Sequence, residues 1–255
     1  MLVLAAPPPA DEPLRSDSVY IVHPWVDGAV LAGTATSWLI LGAAGSSWIT
    51  PHCPCPTSEV PGIDRVALGK HSPAADQAST VTQILALAAP VVVDLADVGF
   101  SAALAEDMTV YAEVLTVSGT ATELAKHAVQ RPRPYVYGST LSAVLEDKGS
   151  YTSFFSGHVS STFGALTALS MTQTLRHGSR GWWLWVVTAL VGTSVAIERV
   201  AAGQHFPTDV ITASIVGGAT GFLVPWLHAR SGSGRPSVTL TPLAGGGLLV
   251  LRGGW

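Results

Sequence analysis

The sequence predicts an all-α fold, a bundle of six membrane-crossing helices with a short non-helical C-terminal tail. Three observations predict it. Charged residues make up 12% of the 255 residues, against about 25% in ordinary soluble domains. Mean hydropathy is positive. Uncharged runs recur along the chain at close to the roughly 20 residues that a helix needs to cross hydrocarbon. No polar interdomain linker precedes residue 231, so we expect one principal domain at 26–230, an N-terminal tail at 1–25, and a Gly/Ser-rich linker with a short tail at 231–255.

The first expected span, 28–50 (GAVLAGTATSWLILGAAGSSWIT), is the clearest. The second, 77–93, is rich in small residues that let membrane helices approach closely. The third, 108–125, carries Glu113 and Glu123 and must turn them toward protein or water rather than lipid. Spans at 158–174, 181–197 and 210–228 follow, with Trp182, Trp183 and Trp185 placed for an aromatic belt. Arg176 and Arg180 lie between spans four and five, and Arg230 and Arg235 after span six, so both connections share one side; the positive-inside rule makes it cytoplasmic. The acids Asp94 and Asp97 between spans two and three count little in that rule. The loops 126–157 and 198–209 then share the outer face.

The ends and loops say less. Residues 1–13 combine a short apolar run with small residues, similar to the end of a secretory signal, but lack a charged n-region; a truncated signal and a plain tail both stay open. Cys53 and Cys55 are too few and too close together for a disulfide scaffold or a complete zinc site, and read as two thiols in a Pro-rich loop. The stretch after Arg230 reads as a linker and a hairpin-like tail. A net charge of −4 with no basic tract argues against nucleic acid as a partner.

Three polar islands fall on the outer face. KHAVQRPRP ends span three with Lys126, Arg131 and Arg133; SFFSGH opens span four with Ser156, Gly157 and His158; ERVAAGQHFPTD joins spans five and six with Arg199, His205 and Asp209. Singly, each has a plain structural reading, as a helix cap, a pair of cations at a helix C-terminus, or an ion pair. Together, guanidinium and ammonium groups with the free amides of a helix start suit a tetrahedral oxyanion. Two histidines add a nucleophile and a proton donor, and Asp209, one helical turn from His205, can hold the imidazole tautomer. No metal or other cofactor is required by this chemistry.

The spacing Lys126, six residues, Arg133-Pro134; Ser156-Gly157-His158; Arg199, five residues, His205, three residues, Asp209 resembles the three-part signature of the type 2 phosphatidic acid phosphatase superfamily. That superfamily includes lipid phosphate phosphatases, bacterial acid phosphatases and vanadium haloperoxidases. The resemblance implies a bundle of that type, with His205 as the nucleophile forming a phosphohistidine, Asp209 as its partner and His158 as the proton donor to the leaving group. It implies that Lys126, Arg133, Arg199, Ser156 and the Gly157 amide bind the phosphoryl oxygens. Two positions depart from it: Phe155 stands where a proline is usual, and Glu198 where a serine is usual, so that a carboxylate beside Arg199 either pairs with it or points away. Arg131 lies outside the signature, and a phosphate role and a solvated surface both stay open for it; His127 and His177 read as bystanders.

The expected function is that of a phosphatase in the bilayer acting on a phosphorylated lipid such as phosphatidic acid, phosphatidylglycerol phosphate or a polyprenyl diphosphate. The expected setting is the bacterial cytoplasmic membrane, with the site facing the periplasm or outside. A vanadate-dependent haloperoxidase and a lipid-phosphate-binding protein disabled at Glu198 are the alternatives.

Overall fold

A computed structural model of the chain describes residues 18–230, 237–243 and 246–252. The signal-like residues 1–13 and the Gly/Ser-rich linker at 231–236 lie outside the described residues. Among the described residues, six long helices make the bundle: α1 (Pro24–Trp48), α2 (Pro73–Val98), α3 (Ala102–Val129), α5 (Gly157–His177), α6 (Trp182–Ala201) and α7 (Pro207–His228), with a one-turn helix α4 (Ser142–Leu145) in the long loop. Four described stretches are long and apolar enough to cross a membrane, and one of these is a 45-residue run that the turn at Gly178–Gly181 divides into α5 and α6. α3 is not among them, as its two glutamates foretold. Large apolar side chains cover the outer surface, including Leu39, Leu85, Leu190 and Ile215, a covering suited to lipid rather than water. The chain is an integral membrane protein.

Local sequence sets the helix ends. Ser72 caps α2 by accepting from the Ala75 amide at 3.2 Å, with Pro73 in the first turn where its missing N–H costs nothing. Ser101 caps α3 in the same way, and Gln130 closes it in the left-handed conformation (φ 47°), turning the chain into the Arg131–Pro134 segment. Helix α5 is the centre of the bundle, packed between α7, α6, α2 and α3, whereas α1 packs chiefly on α3. Contact between α5 and α7 is close because both are glycine-rich: a Cβ on Gly217 would fall 2.1 Å from the Ser160 carbonyl oxygen.

Beneath the loop ends, Phe155, Val159, Val195, Val210 and Ala213 form an apolar cluster. At the opposite end the segment before α1 pairs with the residues after α7, through Ile21 N to His228 O at 2.8 Å and Arg230 N to Val19 O at 2.9 Å. There Arg176 is buried among Asp94, Asp97 and Asp107, with Nη2 at 2.8 Å from Asp107 Oδ2. The acids between spans two and three thus pair with this arginine, and His177 joins them at 2.9 Å from Asp97. Strands β1 (Ser237–Leu243) and β2 (Gly246–Arg252) form an antiparallel hairpin, as the tail's pattern implied.

Two expectations are corrected. Cys53 and Cys55 are joined as a disulfide rather than standing as two thiols. Trp182 and Trp183 are exposed as a belt requires, but Trp185 turns inward, donating from Nε1 to Thr174 Oγ1 at 3.0 Å.

Candidate active site

The three islands converge at one end of the bundle. The chain reaches it four times: at the end of α3, in the loop leading to α5, at the end of α6 and at the start of α7. Gly203 makes the turn out of α6 possible. It has φ 72°, and a Cβ there would lie 2.0 Å from the Lys70 carbonyl oxygen, so only glycine fits both the backbone and the approach. That turn delivers His205, which is 3% exposed, against the loop ahead of α5.

His205 Nδ1 lies 2.7 Å from the Ser153 carbonyl oxygen and 3.8 Å from Asp209 Oδ2. A carbonyl only accepts, so Nδ1 carries the proton and Nε2 presents its lone pair. Two acceptors thus face Nδ1: the Ser153 carbonyl, which is the nearer, and the expected Asp209 carboxylate beside it. Asp209, with no exposed surface, is also the hub of the local network. Its Oδ2 accepts from Ser153 Oγ at 2.5 Å and from the Phe206 amide at 2.9 Å, capping α7, and its Oδ1 pairs with Arg131 Nη1.

Arg131 has neither of the roles left open for it. It bridges Asp209 to Asp64, whose Oδ2 is 2.7 Å from Nη2, and its guanidinium lies 4.1 Å over the Phe206 ring. Burial disfavours its charge, but Asp209 and Asp64 outweigh that and hold its pKa above the ordinary value. Asp64 is itself fully buried and accepts from Thr208 N at 3.0 Å and Thr208 Oγ1 at 2.8 Å, pinning the start of α7.

The other cations surround His158 at the first turn of α5. The charges of Arg199, Lys126, Arg133 and Asp76 all act on its ring, and its Nε2 lies 3.3 Å from Thr80 Oγ1. Lys126 reaches the α5 N-terminus, where a Cβ on Gly157 would sit 4.0 Å from Nζ, and it pairs with Glu123 at 2.7 Å. Arg133 bonds Gln204 Oε1 through Nη1, Gly149 O at 3.2 Å and Thr152 Oγ1 at 3.2 Å. Arg199, 4% exposed, pairs through Nη1 with Asp76 and meets Ser79 Oγ at 3.3 Å. Its partner is thus Asp76 of α2; Glu198 makes no bond to it and leaves Oε2 buried without one among the described residues. Ser156 Oγ and Arg199 Nε are likewise buried with no partner among the described residues. Such groups match the oxygens of an oxyanion, since an unmet buried donor is costly.

All eight expected site residues therefore lie at one end of the bundle. Asp76, Asp64 and Ser153 were missed: an aspartate in a first helical turn reads as a plain dipole partner, and no local spacing announces the other two. From Gly157 and His158 a cavity of about 230 Å³ descends between α1, α2, α3 and α5, walled by Trp38, Leu87, Leu115 and Gly119.

Residues 107–233, about half of the chain, match the family model of the PAP2 superfamily. Two solved structures are similar. One is the crystal structure of Aquifex aeolicus LpxE, 20% identical, covering 63% of this chain and 90% of that one at a TM-score of 0.42. The other is the first transmembrane PAP2 type phosphatidylglycerolphosphate phosphatase from Bacillus subtilis, 21% identical, covering 76% of this chain and 93% of that one at a TM-score of 0.48. Among curated proteins nothing matches. The matched residues contain all three islands, most of α3 and the whole of α5, α6 and α7, and the chain belongs to the PAP2 superfamily.

Proposed function

We propose that the protein is a membrane phosphatase that hydrolyses the phosphate or diphosphate monoester of a lipid through a phosphohistidine on His205. The observation that carries the lipid part of this reading is the cavity. Its walls at Trp38, Leu87 and Leu115 suit an acyl or prenyl chain, and its head lies at Gly157 and His158. Phosphatidic acid, phosphatidylglycerol phosphate and a polyprenyl diphosphate all meet that description.

In the first step the Nε2 lone pair of His205 attacks phosphorus. The P–Nε2 bond forms as the bond from phosphorus to the leaving oxygen breaks, and His158 gives that oxygen a proton. The Ser153 carbonyl keeps the proton on Nδ1 throughout, and the Asp209 carboxylate at 3.8 Å stabilises the positive ring that results. In the second step water gives a proton back to His158, its oxygen bonds to phosphorus, and inorganic phosphate leaves as the P–Nε2 bond breaks. Lys126, Arg133 and Arg199 with the Ser156–Gly157 helix start bind the equatorial oxygens, most strongly where charge is greatest, in the transition state. Phosphate thereby takes over cations that carry internal partners, Glu123 on Lys126 and Asp76 on Arg199. The six long helices are read as six crossings, with the site and the disulfide-bearing loop on the outer face.

The test is phosphate release by detergent-purified protein in EDTA across the three lipids and a soluble ester, with His205→Ala alongside. Release from a lipid that vanishes in the variant supports the reading, and vanadate inhibits it. Unchanged turnover in His205→Ala removes the nucleophile assignment, and halide oxidation on adding vanadate would support the haloperoxidase alternative instead.

A further inference from the structure

A second constellation stands at the end of the bundle opposite His205. Asp27 in the first turn of α1, Glu113 in α3 and His228 at the end of α7 bring one ligand atom each within 4.8 Å of one another. His228 Nε2 lies 3.3 Å from Glu113 Oε2 and 3.5 Å from Asp27 Oδ1. These acids and this imidazole have no part in the phosphate chemistry.

The orientation of the ring is informative. His228 Nδ1 lies 2.8 Å from the Val224 carbonyl oxygen, so Nδ1 is the donor and Nε2 is the ring atom that faces the two carboxylates. One ring nitrogen and two carboxylate oxygens thus converge on one point, where a single cation would meet all three. Asp27 is held in place by the His23 amide, which donates to its Oδ2 at 2.6 Å and leaves Oδ1 for the centre. Glu113 is 3% exposed, and its Oε1 is buried with no hydrogen-bond donor among the described residues. A buried carboxylate oxygen without a donor is costly, and a metal ion that Glu113 held through both of its oxygens would satisfy it.

The distances also suit a metal. Ligands at about 2.0–2.2 Å around a tetrahedral ion stand about 3.3–3.6 Å apart, which brackets both separations from His228. The carbonyl on the far ring nitrogen is the outer-shell partner that metal-bound histidines generally have. One imidazole with two carboxylates suits zinc, and manganese next. Access exists as well, since the His228 side chain is 14% exposed.

We propose that Asp27, Glu113 and His228 form a binding site for a divalent transition-metal ion of the zinc class, distinct from the phosphate site, that clasps α1 and α7 to α3. Helix α1 packs chiefly on α3, so the metal would strengthen the link of α1 to α7.

The test uses the full-length, tag-free protein in detergent, stripped with EDTA and dialysed against zinc, with bound metal counted and the melting temperature followed. We expect one zinc per chain and a raised melting temperature in the wild type. Asp27→Asn, Glu113→Gln and His228→Ala should each lose saturable binding and the thermal shift. His205→Ala should keep both, which separates this site from the catalytic histidines. Folding of each variant is judged by its melting in EDTA, and the near-isosteric Asp27→Asn and Glu113→Gln stand in if His228→Ala does not fold. No saturable zinc binding in the wild type, unaltered binding in the folded variants, or loss of binding in His205→Ala would overturn the proposal.

Discussion

Arg199 of α6 and Asp76 of α2 form an ion pair at the head of the site, with Arg199 almost wholly buried and the Asp76 side chain 45% exposed. A phosphoryl oxygen that binds Arg199 must displace or share with that carboxylate. Removing its charge in Asp76→Asn is therefore expected to tighten inorganic phosphate as a competitive inhibitor. Half-exposed pairs are worth little, so the gain is about two- to five-fold in Ki. An unchanged or weaker Ki would mean that Asp76 serves to place Arg199 rather than to compete for it.

Arg131 ties Asp209 to Asp64, two carboxylates with no exposed surface. Arg131→Ala leaves both without their cation, and breaking a buried pair costs about 3–5 kcal/mol. The variant should melt at a markedly lower temperature and lose turnover. Double replacement with Asp64→Asn should restore part of the stability, because one stranded charge goes with it. If the single variant melts like the wild type, the guanidinium is not what holds the start of α7.

The helices and the signature residues were legible in sequence because each depends on a short local pattern. Apolar runs set five of the six long helices directly, and α3 was flagged by Glu113 and Glu123, whose partners proved to be His228 and Lys126. What sequence could not provide was pairing across the bundle. Asp76 meets Arg199 across more than a hundred residues of chain, and Arg131 meets Asp64 from the other side of α2 and α3. Ser153 holds His205 by its carbonyl oxygen, a group that every residue has. Proximity of Cys53 and Cys55 in sequence argued against a scaffold, yet it is compatible with a local disulfide.

Burial draws the His205 imidazole down to about 4, Asp209 opposes the fall, and the charges of Arg133 and Arg199 add to it. The neutral ring that the proposed attack requires thus persists well below its ordinary pH range, and the acid limb of kcat/KM due to this group should lie near pH 4 rather than 6.5. Stability follows with a definite sign. The unfolded imidazole takes up its proton as pH falls through about 6.5, and the folded one only near 4, so the unfolded chain binds more protons between those values. This contribution is fully present above about pH 6.5 and is lost as pH drops to 4, by up to roughly 3 kcal/mol. His205→Gln should therefore show a shallower decline of melting temperature over that window. Parallel declines would show that the folded ring titrates normally.

The disulfide bears on which way the protein faces. Cys53 and Cys55 are the two cysteines of the chain, and they lie in the loop between α1 and α2, at the same end as His205. Disulfides persist in oxidising compartments. In intact cells expressing the protein, a membrane-impermeant maleimide should label it only after an impermeant reductant is added, and a Cys53→Ser, Cys55→Ser variant should not be labelled. Labelling that requires permeabilised cells would place the site on the cytoplasmic side.

Helices α5 and α7 carry His158 and Asp209, so their spacing sets the distance between the proposed proton donor and the network around the proposed nucleophile. Gly217 fixes that spacing, because a methyl group there would lie 2.1 Å from the Ser160 carbonyl oxygen, main chain that cannot turn aside. Gly217→Ala should force the two helices apart, costing about 1–3 kcal/mol of stability. A shift of that kind at the ends of α5 and α7 should lower kcat about ten-fold or more, since a misplacement of about 1 Å is severe for positioned groups. KM should change less, because Lys126 and Arg133 lie on other segments. Gly218→Ala is the matched control: nothing lies within 4 Å of a Cβ there, and alanine favours helix over glycine, so activity should hold and stability should not fall. Equal behaviour of the two variants would mean that the close approach of α5 and α7 does not set the geometry of the site.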